Sequence, residues 1–151
     1  MFEREGVMKK VFFVLVVLCA CFFMVGCATG ITSNQKREYE EYRAMGLAVE
    51  EKNVALATGL GILPGGGSFY TRNYGLGVLN LLLWPYSILW DPISGANGAT
   101  YINYYATKTQ VTILKKNELR SLEEQVNDGK ITITEYILER EKLRKKYSID
   151  G

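Results

Sequence analysis

With 151 residues and 48% apolar content, the chain has room for one domain of ordinary size and the composition of a globular or membrane-associated protein. Net charge is only +2, and the residues after position 26 carry fifteen Lys/Arg against fourteen Asp/Glu, so no strong field favours nucleic acid or another polyanion. Histidine is absent, and Cys19, Cys21 and Cys27 all lie in the amino-terminal stretch. The body beyond them therefore lacks the imidazole and thiol groups behind most zinc sites and nucleophile–base pairs, and can form no internal disulfide. No metal, cofactor or enzymatic activity is expected.

The amino-terminal segment reads as an address. Lys9 and Lys10 precede an uncharged apolar run from Val11 to Val25, fifteen residues long, followed by Gly26 and Cys27. As a helix the run would measure roughly 22 Å, short of the ~30 Å hydrocarbon core of a bilayer, so a secretory core fits better than a permanent span. An uncleaved anchor helix is the alternative. Glu3 and Glu5 dilute the positive start, whereas Met8-Lys9-Lys10 would open a normal one, which makes Met8 a candidate initiator.

Met24-Val25-Gly26-Cys27 resembles the bacterial lipobox, in which small residues precede a cysteine that is lipidated and becomes the mature amino terminus. The resemblance implies a signal peptide over 1–26 and lipidation of Cys27. Leu18-Cys19-Ala20-Cys21 offers a rival box, but a cut there would leave the apolar Phe22 to Val25 outside the excised segment. Ala28 stands where aspartate commonly retains Gram-negative lipoproteins in the inner membrane, so an outer-membrane protein facing the periplasm is expected. Several acyl chains on one cysteine make a stable anchor, where a single chain binds marginally.

Residues 27–34 read as a lipidated tether, with Ser33 and Asn34 placed to cap a helix that starts near Gln35. Tyr39, Tyr42, Met45 and Val49 recur every three or four residues and predict one amphipathic face. Two apolar runs follow, Val54 to Leu63 and Leu76 to Trp90, joined through Pro64-Gly65-Gly66-Gly67 and predicting an apolar helical hairpin. Pro85 interrupts its second arm, and Asp91-Pro92 with Ser94-Gly95-Ala96-Asn97-Gly98 predicts a turn-rich exit. The glycines around Gly59 and Gly61 fit neither nucleotide motif, because Pro64 occupies the third small position and no Gly-Lys-Ser/Thr follows.

The first arm holds ten residues before the break, about 15 Å of helix and half a hydrocarbon core. Charge disagrees with spanning as well, since the loop would face the cytoplasm with Arg72 alone while Lys108, Lys115 and Lys116 stayed outside. The expected arrangement is a hairpin packed on its own flanking helices or lying in the interface; a spanning hairpin is the alternative. Gly61, the Pro-Gly turn, Phe69-Tyr70, Gly77 with its leucine run, and Trp90-Asp91 are similar to the TM2-type hairpin of small membrane proteins, over roughly residues 52 to 93. That resemblance brings no enzymatic activity.

Tyr101, Tyr104 and Tyr105 open a long helix running towards Val126, as core or aromatic girdle. Leu119, Leu122 and Val126 mark its apolar face, and Asn127-Asp128-Gly129-Lys130 turns the chain. Thr132 and Glu135 match a capping box for a last helix whose face is Ile133, Tyr136, Ile137, Leu143 and Tyr147. Leu119 through Tyr147, with Gly129-Lys130-Ile131-Thr132, is similar to the SHOCT type of short carboxy-terminal domain, which implies association. Some thirty residues bury too little surface to fold alone, so this hairpin should dock on the rest of the chain or on another copy. Glu123, Glu124, Glu139 and Glu141 read as solvated faces offset by Arg and Lys.

The expected fold is mainly α with little or no β: an amphipathic helix and apolar hairpin over 35–107, then a helical hairpin over 108–151. The expected function is a non-enzymatic envelope lipoprotein acting as a membrane-proximal structural or interaction module. Its partners would be membrane lipid through acylated Cys27 and a second copy or envelope protein through 115–147, with no nucleic acid or small-molecule substrate. The alternative is an accessory subunit of an envelope transporter or channel, motivated by Asp91 at the end of an apolar run. A third reading, hydrolysis by Ser68 or Ser87, is disfavoured because neither serine is expected to have a partner base.

Overall fold

A computed structural model describes residues 30–149; Cys27, the segment before it, Cys19 and Cys21 lie outside the described residues. The described chain is mainly α, with six α-helices, one 3-10 turn and no strand. The first helix, α1, spans Ser33–Ala44. Its cap is Thr32 rather than Ser33 or Asn34, and Thr32 and Gln35 exchange bonds in a capping box of 3.3 and 2.9 Å. The reason lies three residues on. Gln35 supplies an acceptor for the cap's own N–H, whereas Lys36 or Arg37, the partners of a cap at 33 or 34, has none.

α1 also ends earlier than the expected stripe. Gly46 adopts φ +72°, its N–H donates to Arg43 O, and Leu47 N–H donates to Tyr42 O, which is the paired closure of a left-handed helix cap. Tyr39 and Tyr42 are buried as expected, but Met45 and Val49 fall outside the helix, and Met45 is exposed. The chain then doubles back along the longest helix.

Helix α2 is Val54–Leu60, capped by Asn53 Oδ1 on Leu56 N at 2.8 Å. The Pro-Gly segment turns and then contains a short helix of its own, α3, Gly66–Tyr70. Helix α4, Tyr74–Leu82, and the 3-10 turn Tyr86–Leu89 carry the second apolar run and are divided around Pro85. Helix α5 runs unbroken from Asp91 to Asn127, 37 residues or roughly 55 Å, and α6 is Ile133–Lys146 with the Thr132–Glu135 capping box formed.

The turn expected at Ser94–Gly98 is instead helical, and tertiary packing explains the difference. Pro92 sits in the first turn of α5, where its missing N–H costs nothing. A Cβ on Gly95 would lie 2.7 Å from Ala57 O and 3.0 Å from Gly67 Cα, so bare backbone allows α5 to meet α2 and α3 at contact distance. That close approach outweighs the ~1 kcal/mol helix penalty of each glycine. α5 is the spine of the molecule, packed against α2, α3, α1 and α6, while α4 packs mainly on α3.

At the other end, Tyr42, Val111, Leu143 and Tyr147 form the buried apolar core, with Leu47, Leu114, Leu119 and Ile149 against it. The terminal hairpin thus docks on α1 at its base. Its predicted face divides: Leu143 and Tyr147 are buried, whereas Ile133 and Ile137 towards the tip are exposed.

Candidate functional site

The unit built from α2, α3, α4 and the start of α5 inverts the usual distribution of side chains. Apart from the methyl of Ala57, its deeply buried side chains are polar: Ser68, Asn80, Ser87 and Asp91. Outside are Leu82 at 76% exposure and Leu89 at 77%, with Tyr74, Val78, Leu81, Trp84 and Tyr86 also half or more exposed. Helical spacing places Tyr74, Val78, Leu81 and Leu82 on one face of α4, and the three-residue step from Tyr86 to Leu89 puts both on one side of the 3-10 turn. Between Asn53 and Trp90 the one charged residue is Arg72, bonded to Glu51 at 2.7 Å.

The interior is a hydrogen-bonded knot. Asn80 Nδ2 donates to Asp91 Oδ1 at 2.7 Å and to Ser68 Oγ at 3.0 Å, and Ser68 Oγ donates to Asp91 Oδ1 at 2.5 Å. Trp90 Nε1 donates to Asn80 Oδ1 at 2.8 Å, so a single asparagine joins α3, α4 and the entry to α5. Asp91 Oδ2 and Ser87 Oγ are buried without a hydrogen-bond partner. Each such bond contributes about 1 kcal/mol net, more where the acceptor is ionised, but leaving a buried partner unpaired costs about 1–3 kcal/mol. The knot therefore specifies how α3, α4 and α5 sit more than it adds stability.

This geometry answers the sequence expectations for the three residues singled out for chemistry. Asp91 points into the protein and not onto a pathway. Ser68 does gain a carboxylate partner, Asp91, from 23 residues away, which no local motif could show. Ser68 is 1% exposed and Asp91 0%, so the pair is a buried crosslink between α3 and the entry to α5. Asn80 was missed; its signal was a lone amide between Leu79 and Leu81.

A second polar seam fixes the returning loop. Asn103 accepts from Lys52 N at 2.7 Å and donates to Lys52 O at 2.8 Å, as a neighbouring strand would. One turn on, Thr107 Oγ1 accepts from Val49 N at 2.8 Å. Beside them Tyr104 donates to Glu38 at 2.7 Å and accepts from Lys108 at 3.1 Å. Tyr104 is held as a neutral phenol by burial and by its bond to Glu38, which push its pKa up. Lys108 is raised by its bond to Tyr104 and, against the opposing effect of burial, by the Glu38 charge. Tyr104 is thus core, while Tyr105 is exposed and accepts from Gln35 at 3.1 Å.

In the tail, Glu124, Glu139 and Glu141 pair with Arg120, Lys142 and Arg144 at helical spacing on exposed faces. Such pairs add little stability. Glu118 is different because it joins two helices: Lys146 Nζ lies 2.7 Å away and Tyr147 OH donates at 2.8 Å. Those two bonds, Lys146's first, hold its carboxyl below the usual range.

Gly30, where the described chain begins, lines a crevice of about 180 Å³ between α3 and α5, together with Thr71, Asn73, Leu76, Gly98 and Tyr101. Among the described residues no three His, Cys, Asp or Glu side chains converge as a metal site, and no helix is long and apolar enough to cross a membrane. No family model, curated protein or solved structure matches this chain.

Proposed function

We propose that the protein is a non-enzymatic lipoprotein of the cell envelope, anchored through acylated Cys27 and acting as a membrane-proximal structural or interaction module. The observation that carries this reading is the inverted unit: a polar interior under an uncharged apolar exterior, with Gly30 beside it. An exposed apolar surface of that extent marks an interaction site in a folded protein. The lipobox-like Met24-Val25-Gly26-Cys27 supplies the address, and its Ala28 favours the outer membrane. The hairpin of α5 and α6, similar to the SHOCT type, supplies a second surface at its tip, where Ile133, Ile137 and Leu138 are exposed. A second copy or another envelope protein is the partner proposed for it.

Replacing Cys27 with Ser tests the anchor. Acyl labelling should vanish, the precursor should persist at its larger size, and the outer-membrane fraction should lose the protein. Unchanged acylation would move the site to Cys21, and a parent chain that takes up no acyl label would overturn the lipoprotein reading. The accessory-subunit alternative loses its motivating feature, because Asp91 is turned inward and bonded to Ser68 and Asn80.

A further inference from the structure

We infer that the apolar face of α4 and the 3-10 turn seats among the acyl chains of a single membrane leaflet, making the folded body itself a monotopic membrane element. This rests on the anchored reading above and names what covers the face.

Three observations select lipid over a protein partner. The stretch 73–90 carries no charge at all, so it offers no ion pair with which to fix a partner's register. Two of its bonding side chains, Asn80 and Ser87, are buried and Trp90 Nε1 is committed to Asn80, while the outward groups of Tyr74, Trp84 and Tyr86 sit on large aromatic rings. Hydrocarbon favours the inward turn of the amide and the hydroxyl, which would find no partner there, and polar aromatic edges suit its boundary. Finally, the tether leaves little choice. Cys27 precedes Gly30 by three residues, a reach of about 10 Å at full extension. Gly30 itself lines the same crevice as Asn73 and Leu76, at the start of α4. Acyl chains on Cys27 would therefore enter the bilayer close to the apolar face.

Dimensions fit one leaflet. α4 seats by its side, and a helix about 10–12 Å across fits within half of a ~30 Å hydrocarbon core, so the face reaches no further than the midplane. Beside its first turn are charged residues suited to the headgroup level: the Arg72–Glu51 pair and Lys52, whose ammonium stands 4.5 Å from the Tyr70 ring centre. Trp84 and Tyr86, with an apolar body and a polar edge, are the side chains that favour such a boundary.

The protein carries its own probes, because Trp84 and Trp90 are its two tryptophans. The mature acylated chain is reconstituted into phosphatidylcholine vesicles whose acyl chains bear bromine, a contact quencher, at shallow or deep positions. Emission should be lost most with shallow bromine, less with deep bromine, and the loss should shrink in Trp84→Phe, which leaves the less exposed Trp90. The double variant Leu82→Glu with Leu89→Glu changes two surface positions and should restore most of the emission, with helicity by circular dichroism unchanged.

Undiminished emission in a chain that still floats with the vesicles would overturn the inference while leaving the lipid anchor intact. Emission already blue-shifted without lipid, and rising in that shift with protein concentration, would assign the face to a second copy and equally overturn it. Absence of acylation in cells would defeat the anchored reading by itself. Quenching of the Cys27→Ser chain by added brominated vesicles, lost in the double glutamate variant, would then still uphold seating of the face.

Discussion

The α2–α4 unit and the α5–α6 hairpin are built on opposite plans within one chain. In the tail, Leu143 and Tyr147 are inside against Val111 and Tyr42, and Lys, Arg and Glu cover the outside except at the tip, where Ile133, Ile137 and Leu138 are exposed. In the α2–α4 unit, Asn80, Ser68, Ser87 and Asp91 are inside, and Leu82, Leu89, Trp84 and Tyr86 cover the outside. The tail follows from the hydrophobic effect, which favours removing apolar area from water. The other unit is held by bare backbone approach at Gly67 and Gly95 and by directional hydrogen bonds, neither of which requires a water-filled exterior. The contrast shows two ways of holding helices together: apolar burial in the tail, and close backbone approach with directional bonds in the other unit.

Substitutions that exchange the two plans should break the comparison most sharply. Asn80→Leu would improve an ordinary core, but here it strips a bond from Trp90, removes a donor from Asp91 and leaves Ser68 as its remaining partner. The expected loss is on the order of 4 kcal/mol, read from urea unfolding in mild detergent; an unchanged midpoint would show that the knot does not organise the unit. In the tail the apolar deletion is the costly one. Leu143→Ala should lose about 3 kcal/mol, whereas Leu82→Ala, on the exposed face of α4, should change the midpoint by less than about 0.5 kcal/mol.

A methyl group is enough to test the backbone contact. Gly95→Ala places its Cβ 2.7 Å from Ala57 O, where both sides are helix backbone and neither yields cheaply. It should destabilise by about 2 kcal/mol, whereas Gly75→Ala in α4, with open space around it, should not. A stable Gly95→Ala would mean that α5 and α2 can separate without loss.

The smallest effect is the pH dependence of the tail. Glu118 is lowered by its bonds to Lys146 and Tyr147, so the folded state binds fewer protons there than the unfolded chain. Its contribution is complete above the ordinary carboxylate value of about 4.5 and is lost as pH falls through the lowered folded value. Lys146 is raised by Glu118, so its share is complete below the ordinary lysine value and is lost as pH climbs through the raised one. Heat unfolding followed by tyrosine absorbance should show both edges, and Glu118→Gln should flatten both.

Much of the local structure was legible from the residues. The Thr132–Glu135 capping box, the Pro-Gly break, the buried Tyr39 and Tyr42, and the mainly helical class are local or periodic signals that one chain segment carries by itself. Helix ends at Gly46 and the Thr32 cap were available in principle, since each depends on residues within five positions. The start of α5 was not. Ser94-Gly95-Ala96-Asn97-Gly98 is turn-like by local preference and becomes helical because Gly95 meets Gly67 and Ala57 from other helices.

The candidate site divides in the same way. That a long uncharged stretch occupies 73–90, and that Cys27 stands just ahead of the folded body, can be read without coordinates. Which side of that stretch faces outward cannot, because Ser68, Asn80 and Asp91 are distant in sequence and become neighbours when α3, α4 and α5 pack. The sequence by itself determined where apolar and polar groups occur along each helix, since spacing fixes a face. The tertiary structure alone decided which face became the inside, because a buried hydrogen bond needs both of its partners and those partners come from different helices.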